Sequence, residues 1–329
     1  MPGARKKSRA VRGTLHRSKN QTHPLPAPLT RAILALARDH RSGSIPLALR
    51  ACDLLASCKS PAVGSASDFY AEVAQAVARA QPTMAAVWNV CDRWLRHVER
   101  GSTPLRSARR IAQELSHAQR TTAGRASALI RNGHVVVTYS SSSTIEAALR
   151  MARLKGRRFR VLCSEGRPMY EGRIMAQRLA AQAIPIDLFT DSGLLASLPG
   201  ADLVLVGCDA IFPDGFVNKV GTHALLRMAR IARVPAYIVA DSFKFLPSAA
   251  VRSFSIREEK SSEVMKRSAN NLRIRNFYFE KTPLQACSGL ITEGGLWSAE
   301  NVPELLRAME SGASLRYAQK RSCRGHRYR

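Results

Sequence analysis

The sequence predicts an α/β protein, with helices first and a parallel, doubly wound sheet after them. Three observations predict it. Apolar residues recur at helical spacing from Leu29 to about residue 130. At His134 the period changes, and short apolar runs alternate with helix-period segments, the order that builds a parallel sheet with helices on its faces. Those runs end in small, polar or charged residues, as strands do where they emerge at a ligand-binding edge. The expected organisation is a basic disordered arm over 1–23 and a helical domain over 24–130. A Rossmann-like domain over 131–312 and a basic tail over 313–329 complete it.

Taken in order, His23-Pro24-Leu25-Pro26-Ala27-Pro28 is a proline-rich lead-in. The first helical segment breaks at Asp39-His40-Arg41-Ser42-Gly43-Ser44. Ser44 is the expected cap of the next helix, with Pro46 in its first turn. That places Arg41 and the Ser42-Gly43-Ser44 amides at a helix N-terminus, a phosphate cradle or simply a turn. Helices follow at about 68–80, 83–99 and 104–130. Trp88, Trp94 and Leu95 fall on one face as core, while Arg106, Arg109, Arg110, Arg120 and Arg125 read as a solvated basic face.

Val135-Val136-Val137 is the first buried strand, and Ser143 with Glu146 three residues on forms an expected capping box for the next helix. The serine run 140–143, Ser141 included, is either phosphate-binding or only a capped turn. Phe159 to Cys163 precedes a helix over Met169–Ala181, Pro185 to Phe189 is a third strand, and a last short strand lies near Leu290-Ile291-Thr292. Between them, Leu203 to Val206 is a strand ending at Gly207, with Asp209 just beyond it. Asn218-Lys219-Val220-Gly221-Thr222 leads into a helix over His223–Ala232. Ala236 to Ala240 ends in Asp241-Ser242-Phe243-Lys244. Asp209, Asn218, Lys219, Asp241 and Lys244 thus gather at one sheet edge. Two lysines, a carboxylate and a helix N-terminus suit an anionic, phosphorylated small molecule.

The formal charge is +27, and residues 1–22 and 316–329 carry thirteen cations without an acid, leaving +14 for the body. The ends read as solvated arms for non-specific nucleic-acid contact. Seven cysteines stand singly without a CxxC, which points to a reducing, cytoplasmic setting; no zinc spacing or apolar run of membrane length occurs, and no cofactor or metal is expected.

Several blocks then add up: Arg41-Ser42-Gly43-Ser44, Glu165-Gly166-Arg167-Pro168 with Gly172, Thr190-Asp191-Ser192, and Gly207-Cys208-Asp209. Asn218-Lys219-Val220-Gly221-Thr222, Ser242-Phe243-Lys244-Phe245, Asn276 to Pro283 and Ile291-Thr292-Glu293-Gly294-Gly295 follow. In order and spacing, over roughly residues 30 to 310, the chain resembles the family that unites the α, β and δ subunits of eukaryotic initiation factor 2B with two sugar-phosphate isomerases. Those enzymes act on methylthioribose 1-phosphate and ribose 1,5-bisphosphate. The resemblance implies a helical domain on a Rossmann-like domain that dimerises, as a homodimer or a higher homo-oligomer. It implies ligand contacts at Arg41, Ser42, Gly43, Arg167, Asn218, Lys219 and Lys244, and a catalytic aspartate at Asp209.

The isomerases' catalytic cysteine falls on Ser140, within Thr138-Tyr139-Ser140-Ser141. An alcohol is a far poorer acid than a thiol near pKa 8.5, so the position departs from the enzymes in its chemistry. Cys163 and Cys208, at nearby strand ends, are either substitutes or core residues. The resemblance therefore implies a regulatory protein binding a sugar phosphate or nucleotide, with an active aldose–ketose isomerase as the alternative.

Overall fold

The computed structural model describes residues 25–59, 65–246, 254–266 and 269–309. The two basic tails lie outside them. Five helices come first: α1 (Ala27–Ala37), α2 (Ser44–Ala56), α3 (Ala66–Ala80), α4 (Ala85–Glu99) and α5 (Pro104–Leu129). Their packed interior contains Trp94, Leu55, Ile111 and Leu115, with Trp88 and Leu95 also buried. Ser65 and Thr103 cap α3 and α5 by accepting the amides of Asp68 and Arg106.

From residue 135 strands and helices alternate: β1 (Val135–Tyr139), α6 (Ser143–Leu154), β2 (Arg160–Ser164), α7 (Glu171–Ala181), β3 (Ile186–Phe189), α8 (Asp191–Ala196) and β4 (Leu203–Val206). A hairpin, β5 (Ala210–Phe212) and β6 (Gly215–Lys219), precedes α9 (Thr222–Ile231) and β7 (Ala236–Val239). The chain continues through β8 (Phe279–Thr282), β9 (Gly289–Thr292), β10 (Gly295–Trp297) and α10 (Val302–Met309). The large sheet runs β10-β9-β7-β4-β1-β2-β3, parallel except for β10. Counting only its six parallel strands in chain order, this is the 3-2-1-4-5-6 order of a doubly wound Rossmann sheet, whose switch point falls between β1 and β4.

Period-2 alternation feeds two cores. Val136, Val161, Leu203 and Leu205 face α5, α6 and α7, whereas Val137, Leu162, Val204 and Val206 face α8, α9 and α10. A second, antiparallel sheet, β5-β6-β8, is inserted beyond the carboxyl end of β4. The sequence reading had Asn218 and Lys219 in a segment leading into the His223–Ala232 helix. They lie instead on β6, because Gly215–Lys219 pairs with Phe279–Thr282, some sixty residues away.

Ala210, Phe212 and Val217 of this insertion, with Phe243 and Leu246, join the core of the helical part. Buried Asn89 on α4 completes the junction, its amide donating to the carbonyls of Phe243 and Phe245 at 2.8 Å each.

Two glycines are required by close approach. A Cβ on Gly172, in the first turn of α7, would lie 1.8 Å from the Ser164 carbonyl oxygen at the end of β2. Gly221 has φ +100°, and a Cβ there would lie 2.3 Å from the Tyr139 hydroxyl, which donates to the Val220 carbonyl at 3.0 Å. Replacing Gly172 by alanine therefore forces α7 off the sheet. A loss of about 3 kcal/mol in urea unfolding is expected, and an unchanged midpoint would contradict this packing.

Candidate functional site

A cavity of about 690 Å³ opens beyond the carboxyl ends of β1 and β4, at the switch point. Its wall is drawn from the α1–α2 turn, the turn after β1, the start of α7, the inserted sheet and the short turn after β7.

Two lysines dominate it, each only 4% exposed. An ammonium group so far from water needs a partner. Lys219 has Glu171, whose Oε1 lies 2.8 Å from its Nζ, and the Tyr278 ring 5.5 Å away. Lys244, on the 3₁₀ turn Ser242–Lys244, donates to the Ser44 hydroxyl at the start of α2.

Asp209 faces the same space. Its amide donates to the Val217 carbonyl at 2.8 Å, and its carbonyl accepts the Ala85 amide of α4 at 3.0 Å. Burial pushes its carboxyl above the ordinary value and Glu171 adds to that. Lys244, a hydrogen bond from Ser44, and Lys219 pull the other way.

Ser140 sits at φ +66°, in the left-handed region that non-glycine residues seldom enter. Its hydroxyl donates to Glu171 Oε1 at 2.8 Å. Tyr170, also on the cavity wall, has φ +58°. Strain of this kind collects at functional sites. Glu171 Oε2 is buried and has no hydrogen-bond partner among the described residues.

Arg41, Ser42, Gly43, Ser141, Asn218, Lys219 and Lys244 all line the cavity with Ser140 and Asp209. Arg167 is absent from that wall. Its guanidinium stacks on the Tyr170 ring at 5.1 Å, while Asp191 accepts the amides of Gly166 and Arg167.

Three local details differ from the sequence reading. The cap of α2 is Gly43, not Ser44, which frees the Ser44 hydroxyl for Lys244. Asp39 takes the Arg41 and Ser42 amides at 3.0 and 2.9 Å, so of the expected cradle the Ser42 amide is occupied, while the first-turn amides of α2, that of Ser44 included, have no intrahelical partner. The cap of α6 is Ser142, accepting the Ile145 amide, so Ser143 begins that helix.

The α9 N-terminus is not open to an anion. Glu280 of β8 accepts the amides of Gly221 and His223 at 2.9 and 2.7 Å. Cys208 lines the cavity with its thiol on the Ala210 carbonyl, and burial pushes it far up. Burial likewise pushes the Cys163 thiol up to about 12, and Cys163 is not in the wall. Glu171, Tyr278 and the hydroxyl of Ser44, of which only the amide was anticipated, were missed among the groups lining the cavity. Only Glu171 had a signal, a carboxylate directly before the glycine of the Glu165–Gly172 block.

The fold and its switch-point site define a class of Rossmann-like α/β proteins with a helical N-terminal part. The Initiation factor 2 subunit family model matches residues 41–299, and the chain belongs to that family. A Pyrococcus horikoshii protein named as eIF-2B subunit 2-like is 31% identical over 70% of this chain and 81% of its own length. The ribose 1,5-bisphosphate isomerase of Archaeoglobus fulgidus is 27% identical over 68% of this chain and 74% of its own. Among solved structures, the translation initiation factor eIF-2B of Pyrococcus horikoshii superposes with a TM-score of 0.73 and 26% identity, covering 83% of this chain and 98% of that one.

Asp241 adds a pH dependence. Burial raises its carboxyl to about 6 and Glu293 adds to this, against the pull of Lys244. An acid with a folded value above its unfolded 3.8 stabilises the fold below about pH 4, and that contribution is lost as pH rises through about 6. Asp241→Asn should gain on the order of 3 kcal/mol over wild type at about pH 7 and nothing at about pH 4. Equal urea midpoint differences at both pH values would refute it.

Proposed function

We propose that this chain binds a phosphorylated small molecule, a sugar phosphate or a nucleotide, in the switch-point cavity, and that it does so as a regulatory protein. The observation that carries the reading is the convergence of buried Lys219 and Lys244 with Asp209 in one solvent-connected hollow. Lys244, Arg41 and the first-turn amides of α2 would take the phosphate. Asp209 would accept hydrogen bonds from sugar hydroxyls. Ser140 stands where the resemblance places the isomerases' thiol, and its proton already points at Glu171. An alcohol in that state serves binding better than proton exchange. The protein acts in the cytoplasm, as a homodimer or larger homo-oligomer through the sheet domain.

One observation favours the second reading, an aldose–ketose isomerase. Ser140, Glu171 and Lys219 form a connected chain of groups in the cavity that Asp209 also lines. There Glu171 would hold the proton that the thiol carries in the enzymes, and Asp209 would move the other.

Thermal unfolding against ribose 1,5-bisphosphate, methylthioribose 1-phosphate and common nucleotides tests binding. A ligand at about 100 times its Kd should stabilise by about 2.7 kcal/mol. Lys244→Ala and Lys219→Met should lose that shift while remaining folded, and no shift with any phosphate would end the binding reading. Incubation with either sugar phosphate should give no ketose. Turnover that disappears in Asp209→Asn would replace the regulatory reading with the enzymatic one.

A further inference from the structure

In a parallel sheet each helix that leads into a strand finishes at the strand's amino end, so α5, α6 and α9 all stop on the side of the domain away from the cavity. Arg131 follows α5. Arg153, Lys155 and Arg158 close α6 and lead into β2, while Arg230 lies in the last turn of α9 and Arg233 between α9 and β7. All six are exposed, and none forms an ion pair among the described residues. The strand registers set Val135 against Arg160, Val136 against Leu203 and Val204 against Ala236, so the starts of β2, β1, β4 and β7 stand side by side. At about 4.8 Å per strand they span about 15 Å. The turns carrying Arg131 and Arg158 are joined directly, the Gly133 amide donating to the Arg158 carbonyl at 2.8 Å.

Cations at helix C-termini stabilise the helix dipole, and Arg157 does this for α5 by donating to the Ser127 and Ala128 carbonyls at 2.5 and 3.2 Å. The other cations exceed that need. Residues 150–160, RMARLKGRRFR, hold six cations, Arg157 included, and no acid. The turns leading into β1, β2, β4 and β7 contain one acid, Asp202, and its carboxylate is engaged by the Val135 amide at 2.7 Å.

We propose that this arginine-rich edge, at the amino ends of β2, β1, β4 and β7, is a docking surface for the phosphodiester backbone of RNA. Five of the six side chains are guanidinium forks, which match phosphate oxygens in pairs. The surface carries no aromatic platform, so it tracks backbone charge and not base sequence. An anionic membrane fits less well. Leu154 and Ile231, 78% and 72% exposed, lie at this edge, but α6 and α9 cover opposite faces of the sheet. The two aliphatic groups thus form no single patch to insert.

Binding of the full chain to a fluorescein-labelled oligouridylate, followed by anisotropy at several KCl concentrations, tests the proposal. Wild type should bind with log affinity falling linearly in log salt. The triple variant Arg153→Glu, Lys155→Glu, Arg158→Glu should bind at least about tenfold more weakly, with a slope shallower by about 2 at roughly 0.7 per lost phosphate contact. Its melting should fall by only a few degrees, the cost of losing two cations from the α6 C-terminus. A matched triple variant in the helical part, Arg100→Glu, Arg106→Glu, Arg109→Glu, keeps both tails and the same net charge, and should stay within about threefold of wild type. Equal losses in both triples would show that net charge alone drives binding and would overturn the proposal. So would absent binding by wild type, or co-sedimentation with phosphatidylserine vesicles in preference to RNA.

Discussion

Lys219 keeps a charged ammonium group almost entirely out of water, and the cavity's construction depends on how that is tolerated. Desolvating such a group costs several kcal/mol unless a carboxylate meets it at close range. Glu171 meets it, from the first residue of a helix belonging to the large sheet, while Lys219 belongs to the inserted one. The pair therefore joins the two sheets across the mouth of the switch point. It also draws Ser140 in as a third member, since one carboxylate oxygen serves both. Breaking it from either side would strand a buried charge between the two sheets.

Membership in a family whose named relatives include both translation factors and an isomerase places the weight on single positions. Asp209 is held by backbone bonds to β6 and α4, independently of what occupies residue 140. The cations have buried, specific surroundings of their own. Residue 140 is held differently, as a left-handed turn residue whose side chain is already committed to a neighbour.

Much of the fold was legible because period carries it. The change from helical spacing to short apolar runs at His134 marks the start of the sheet, and the run Leu203–Val206 coincides with β4. What escaped was non-local. The β5-β6-β8 sheet pairs Gly215–Lys219 with a segment some sixty residues on, and Asn218-Lys219 alone has the composition of a loop. The helix caps slipped by one residue within runs such as Arg41-Ser42-Gly43-Ser44 and Ser140 to Ser143, where several neighbours have capping chemistry. The α9 terminus was read as open because nothing local reveals that Glu280 fills it. Of the site, the cavity-lining cations and Asp209 were visible as polar residues after strands, but Glu171 acquires its meaning only through Lys219, 48 positions later.

Tyr139 and Gly221 are bound by a geometric rule that reaches beyond this one molecule. The phenol lies where any side chain at 221 would have to go, and that backbone adopts a conformation natural to glycine. Drift at one position is therefore blocked until the other has changed, so the two should be inherited as a couple. A lineage that shortens the aromatic ring first gains a small void, and only then the freedom to replace the glycine.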